Sequence, residues 1–178
     1  GDVLTHCFKG GTTRVTDDHG KIFDDVRAAR DRGVEFDVGH GYGSFHWEIV
    51  EAALEQGFEP NTISTDLHSM NLHGPVFDMP TTMSKFLMLG LPIERVIEMS
   101  TTTPAKTLGR QDQIGTLKVG TVADVTVLEQ VEGRFRFIDS YRKERIGKTL
   151  LVAAATVLHG KLLPAGGGRR MRFPDTAH

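Results

Sequence analysis

With 178 residues the chain has room for one domain with a real core, or for one domain and a small appendage, and too few for two full domains. A net charge of -2, with 25% charged and 39% hydrophobic residues, is ordinary for a globular protein and speaks against nucleic acid as a partner: Lys and Arg are scattered, and the one basic cluster, Arg169-Arg170-Met171-Arg172 behind Gly166-Gly167-Gly168, reads as a solvated tail. The single cysteine, Cys7, excludes an internal disulfide and fits a reducing, cytoplasmic compartment; no apolar run approaches the roughly 20 residues that span a bilayer, and no basic region leads into an apolar core at the N-terminus.

The first strand pattern, Asp2-Val3-Leu4-Thr5-His6, follows directly on Gly1 with no initiator Met, as in a piece cut from a longer protein. After a loop at Lys9-Gly10-Gly11-Thr12-Thr13, the spacing predicts a helix over 21–32, with Ile22, Val26 and Ala29 at i, i+4 and i+7 and Gly33 to end it. A second strand over 34–38 runs into Gly39-His40-Gly41-Tyr42-Gly43, whose glycines permit positive φ and close approach to a ligand. Ser44 is placed to cap a helix reaching Gln56, with Ile49, Ala52, Ala53 and Leu54 near one face and Gly57 at its end. A third strand is expected over 61–66, then a polar loop over 67–75, a methionine-rich helix over 79–90 whose Met stripe packs in a core, and a helix opened by Pro92 with Ile93, Val96 and Ile97 apolar. Near Gly115 the periodicity turns from helical to alternating, predicting short strands over 116–120, 123–128, 134–138 and 149–158. Two parts follow: 1–112, a run of βα units and helices, and 113–178, β-rich with a tail. Three βα units do not close an eight-stranded barrel, which takes about 200 residues or more.

Each of the three early strands ends in a residue type that binds metal: His6, His40 and Asp66. In a parallel β/α arrangement the C-terminal strand ends share one face, so the three can meet there, and two imidazoles with a carboxylate suit zinc or a similar divalent ion. Spacing alone leaves a second reading open, in which the histidines are hydrogen-bonded structural residues and Asp66 serves a turn or a helix cap. Strand alternation points Thr5 and Cys7 away from His6, which makes Cys7 a small buried hydrophobe and not a fourth ligand. His68, two residues past Asp66, can face the same cavity as a substrate contact or outer partner. His46 and Trp47 read as packing residues, and His19, His73, His159 and His178 as surface or loop residues.

With these residues in hand, the chain resembles the amidohydrolase superfamily, in its deacetylase and dihydroorotase-like branch. The resemblance is carried by Asp2-Val3-Leu4-Thr5-His6-Cys7-Phe8, Phe36-Asp37-Val38-Gly39-His40-Gly41-Tyr42-Gly43-Ser44-Phe45 and Ile63-Ser64-Thr65-Asp66-Leu67-His68. It continues through Ser100-Thr101-Thr102-Thr103-Pro104-Ala105-Lys106-Thr107-Leu108-Gly109 and Gly115-Thr116-Leu117-Lys118-Val119-Gly120-Thr121-Val122-Ala123-Asp124-Val125. It implies an α/β fold, a partial (β/α)8 TIM-type barrel made of the C-terminal strands followed by a small β-rich segment of a β-sandwich. It further implies Zn2+ or another divalent metal held by His6, His40 and Asp66, with Asp66 as general base in hydrolysis of a small-molecule N-acyl or cyclic amide.

The family's His-x-His pair on the first strand and its metal-bridging lysine on the fourth have no counterpart in this sequence. The resemblance is therefore to a C-terminal half, and the alternative to an enzyme is a non-catalytic fragment of one. Open strand edges call for a homo-oligomer or for a complementing N-terminal half. The loops over 9–18 and 67–80 would shape the pocket, with Tyr42, His68 and Asn71 as substrate contacts; no arginine stands out as a carboxylate anchor, and no membrane partner is indicated.

Overall fold

The computed structural model of the chain describes residues 1–164; the expected solvated tail at Arg169-Arg170-Met171-Arg172 and the surface role of His178 lie outside the described residues. In chain order the elements are β1 (Val3–Leu4), α1 (Asp24–Asp31), β2 (Glu35–Phe36), α2 (Trp47–Glu55), α3 (Met79–Met88), α4 (Ile93–Ser100), α5 (Thr102–Thr107), β3 (Val125–Ile138), β4 (Glu144–Leu158) and β5 (Lys161–Leu162). They fall into two compact units, one of Gly1–Thr82 with Ile138–Glu144, the other of Met83–Phe137 with the chain from Arg145 onward. Among the described residues no helix is long and apolar enough to cross a membrane.

In the first unit β1 and β2 pair in parallel, Val3 opposite Glu35 and Leu4 opposite Phe36, with α1 as the crossover that parallel pairing requires. The expected third strand over 61–66 is extended chain and not a full strand. It shares one parallel bridge, Asp37 with Thr62, and its carbonyls then accept from Val38 N at 3.1 Å, His40 N at 3.1 Å and Gly41 N at 3.0 Å. The ladder ends early because the backbone turns left-handed at His6 (φ 59) and Asp66 (φ 47), where regular pairing cannot continue. The alternation used to place Thr5 and Cys7 therefore stops at Leu4. Cys7 is nonetheless buried, since its N–H bonds to Asp37 O at 3.1 Å and draws the chain inward.

The helices shift at their starts. α1 begins at Asp24 because Ile22, fully buried, is held in an antiparallel bridge with Thr16; Gly33, at φ 92, ends it as expected. α2 begins at Trp47, and the cap position is His46, not Ser44: the chain from Ser44 to His46 is committed to other bonds, His46 N to Phe8 O and Phe45 N to Ser140 Oγ. The core of this unit contains Phe36 and Phe58 edge to face at 5.0 Å, Trp47 against Phe45, and Val38, Val50, Ala53 and Ile63, with the Arg30 guanidinium stacked 3.6 Å over Phe58.

α3 starts in the first unit and continues into the second, where α4 packs on α5 and β3, β4 and β5 form a sheet in that order. Met83, Phe86, Val96, Met99, Phe135, Phe137 and Leu151 are buried there, and Leu151 N donates to Ser84 Oγ at 2.8 Å. Gly147 is required at its place on β4, because a Cβ would stand 2.6 Å from the Phe137 ring and 3.1 Å from Met88 Cγ. The short strands expected over 123–128 and 134–138 are one long strand, β3, and the strand expected at 149 begins at Glu144. The stretch over 116–120 is turn and not strand: Gly115 and Gly120 take φ 73 and 93, Thr121 N bonds Lys118 O, and Leu117 and Val119 are exposed with no pairing partner among the described residues.

Candidate functional site

The three chain ends of the first unit bring His6, His40 and Asp66 to one glycine loop. His6 Nδ1 lies 2.5 Å from Gly39 O, and His40 Nδ1 lies 3.0 Å from Gly41 O. A carbonyl can only accept, so in both rings Nδ1 carries a proton, and Nε2 is the nitrogen the neutral ring would offer to a ligand. His40 is fully buried and stacks on the Phe45 ring at 4.5 Å, 10° from parallel, which fixes its plane; His6 is half-buried and Asp66 exposed. The two glycines hold this convergence open. A Cβ on Gly39 would stand 2.7 Å from His6 Nδ1, and one on Gly41 would stand 2.8 Å from Asp66 Oδ2, while both residues have positive φ.

Beneath the loop Asp37 is buried. Its carboxylate accepts the hydroxyls of Thr5 at 2.7 Å, Ser64 at 2.6 Å and Thr62 at 2.6 Å, one or more from each neighbouring segment. Cys7 lies close by; burial first, and then the Asp37 charge, push its thiol well above its ordinary pKa.

The expected substrate contacts fall into two kinds. Tyr42 and His68 are exposed, with Arg142 Nη2 3.4 Å from the Tyr42 hydroxyl. Asn71 is fully buried and its amide is engaged in the loop after the third segment: it donates to Asp66 O at 2.8 Å and accepts from His68 N at 2.8 Å. His19, His73 and His159 are exposed, as expected.

Among the described residues, the group of three potential ligands that comes within 4.8 Å of one another is a different one: His46, Glu48 and Asp139. His6, His40 and Asp66 do not draw that close. Local spacing carries no signal for this group, because Asp139 arrives from the β3–β4 turn. His46, read from sequence as packing, has its Nδ1 2.6 Å from Glu48 Oε2 and its ring 4.6 Å from Tyr141. These side chains flank a cleft of about 240 Å³ that also takes in Gly10, Arg14 and Asp17. The bonding explains the cluster without an ion. Asp139 accepts Trp47 N at 3.2 Å, Tyr141 N at 2.8 Å and Lys143 N at 2.8 Å, and the Lys143 ammonium already occupies Glu48. A metal here would have to displace that ammonium.

The chain matches the amidohydrolase family over residues 8–155. It is 39% identical over 140 residues to a deacetylase of Agrobacterium fabrum, covering 79% of this chain and 34% of that protein. To a deacetylase of Enterococcus faecalis it is 37% identical over 164 residues, covering 91% and 44%. Among solved structures, an adenine deaminase superposes with a TM-score of 0.87 at 36% identity, over 91% of this chain and 44% of that one. A dihydroorotase superposes at 0.78, also at 36% identity, over 93% and 43%. The chain thus spans between a third and a half of the length of these relatives. By its sequence match and its superposition on two such structures, the chain belongs to the amidohydrolase family, in the branch similar to deacetylases and dihydroorotases.

Proposed function

We propose that this chain carries part of the active site of a metal-dependent hydrolase that cleaves a C–N amide bond, N-acyl or cyclic, in a small molecule. The observation that carries the reading is the anchoring of both His6 and His40 through Nδ1 on backbone carbonyls, the arrangement that orients an imidazole to offer Nε2 to a metal. The left-handed backbone at His6 and Asp66 supports it, because non-glycine residues in that region persist where function holds them there. Residues and metal are chemically matched: two imidazoles and a carboxylate suit Zn2+ or another divalent ion. When bound, such an ion lowers the pKa of water and polarises the scissile carbonyl. Asp66 takes the proton from the attacking water and passes it to the leaving nitrogen. Tyr42 and His68 contact the substrate, and Asn71 shapes that wall from behind by fixing the loop.

In this reading residues 1–112 are the C-terminal half of a (β/α)8 barrel and 113–178 a β-sandwich portion and tail, in a cytoplasmic protein completed by a second copy or by an N-terminal half. A second reading, a non-catalytic fragment, is favoured by the missing His-x-His pair and by the wider spacing of His6, His40 and Asp66.

Elemental analysis of the purified chain beside a His6→Ala/His40→Ala variant separates the two. The metal-site reading expects about one zinc-like ion per chain, lost in the variant; equal metal in both, or none in either, leaves the fragment reading. In a full-length parent enzyme, Asp66→Asn is expected to lower kcat by 100-fold or more, roughly the worth of a general base.

A further inference from the structure

We propose that Asp37 is the positioning residue of this site: one buried carboxylate sets where His6, His40 and Asp66 stand. The inference rests on the assignment of those three as ligands and deepens it.

Regular pairing between the three segments is short. β1 and β2 share two register pairs, the third segment adds a single bridge to Asp37 itself, and the backbone bonds beyond it, His40 N to Ser64 O and Gly41 N to Thr65 O, fix the main chain and not the side chains. Above that level the ladder gives way to left-handed turns, so the ligand-bearing ends need another constraint. Asp37 supplies it. Its Oδ2 takes the Thr5 hydroxyl at 2.7 Å and the Ser64 hydroxyl at 2.6 Å, and its Oδ1 takes the Thr62 hydroxyl at 2.6 Å. Thr5 immediately precedes His6, Ser64 lies two residues before Asp66, and Asp37 itself lies three before His40. Ser64 Oγ extends the network by accepting Gly39 N at 3.1 Å, and Gly39 O is the anchor of the His6 ring.

Three donated hydroxyls call for an acceptor with no proton of its own. A carboxylate accepts at both oxygens, whereas an amide would offer an NH2 to at least one hydroxyl and force it to turn away. Bonds to a charged acceptor are also the stronger kind, which is how a buried carboxylate is tolerated here. A residue that merely filled space would need neither the charge nor partners on every segment.

The test compares zinc affinity by chelator competition, the imidazole 15N shifts of His6 and His40 in the zinc-free full chain, and the melting transition. Asp37→Asn is expected to weaken zinc binding by roughly 10- to 100-fold, the usual effect of losing a group behind the ligands, and to shift the His6 and His40 nitrogens away from the Nδ1–H tautomer. Ile22→Val, a destabilising change at a buried position held in the bridge to Thr16, should leave both readouts at their wild-type values. Thr5→Val and Ser64→Ala should each give part of the Asp37→Asn effect, and they decide the matter if that variant does not fold. Unchanged affinity and unchanged imidazole shifts in folded Asp37→Asn, or in both hydroxyl variants, overturn the proposal. A wild type that binds zinc no better than His6→Ala/His40→Ala overturns the ligand assignment instead, and the imidazole shifts alone then decide whether Asp37 sets the rings.

Discussion

At Gly41 the backbone takes φ 54 and a Cβ would meet Asp66 Oδ2 at 2.8 Å, so one methyl group tests both conformation and site. Gly41→Ala is expected to lose about 1–2 kcal/mol from the left-handed backbone alone. It should also displace the Asp66 carboxylate, so urea unfolding and a zinc titration are expected to move together. A variant with wild-type stability and wild-type zinc affinity would mean the loop has room to give. Glu48 offers a pH test. Burial raises its pKa, but the Lys143 hydrogen bond, its own backbone N–H and the charges of His46 and Lys143 outweigh that and leave it below the ordinary value of 4.5. A carboxyl whose folded pKa is lowered stabilises above its unfolded pKa and loses that contribution as pH falls through the folded one. Comparing wild type with Glu48→Gln, the stability difference should be present at neutral pH and be lost as pH falls through the lowered folded pKa of Glu48. It should be small, roughly 0.5 kcal/mol, and shrink in high salt, because the carboxylate is half exposed.

At the scale of elements, α2 depends on a cap that comes from far along the chain. Its cap residue, His46, makes no side-chain cap bond; Trp47 N is instead taken by Asp139 Oδ2 at 3.2 Å, and the same carboxylate closes the β3–β4 turn through Tyr141 N and Lys143 N. A negative group at a helix N-terminus also complements the helix dipole. Asp139→Ala leaves three backbone donors without this acceptor and is expected to cost about 1–3 kcal/mol. Hydrogen exchange should then quicken at Trp47, Tyr141 and Lys143 together; faster exchange confined to the turn would show that α2 holds its start without the cap. The Ser44 cap expected from sequence fails for the same reason. A local rule places the cap by residue type, and here a residue some ninety positions away supplies it.

For the whole molecule the informative feature is β1. Among the described residues it pairs with β2 alone, and Val3 and Leu4 are each 46% exposed. An apolar strand with an open edge invites pairing with another chain. Sedimentation velocity is expected to show concentration-dependent association of the chain, reduced by Leu4→Lys, which puts a charge on that edge. A monomer at all concentrations in both proteins would count against a second copy as the completing element.

The positions of the glycines and of His6, His40 and Asp66 were legible in the sequence because turns and strand ends are local: a glycine where φ must be positive, and a polar residue where an apolar run stops. The helices were legible for the same reason, within a few residues at each end. The strand over 116–120 was misread because alternation describes a segment's faces and says nothing of whether a partner lies alongside; the segment over 61–66 has its partner, and its ladder is cut short by the left-handed turn at Asp66. His46, Glu48 and Asp139 were invisible, as was the role of Asp37, since each depends on residues far apart in the chain. The sequence by itself determined the βα order, the glycine loop and which residue types stand at the segment ends. Only the tertiary structure decided which segments pair, what caps α2 and which hydroxyls meet Asp37, because those are contacts between distant residues, set by packing and not by any local preference.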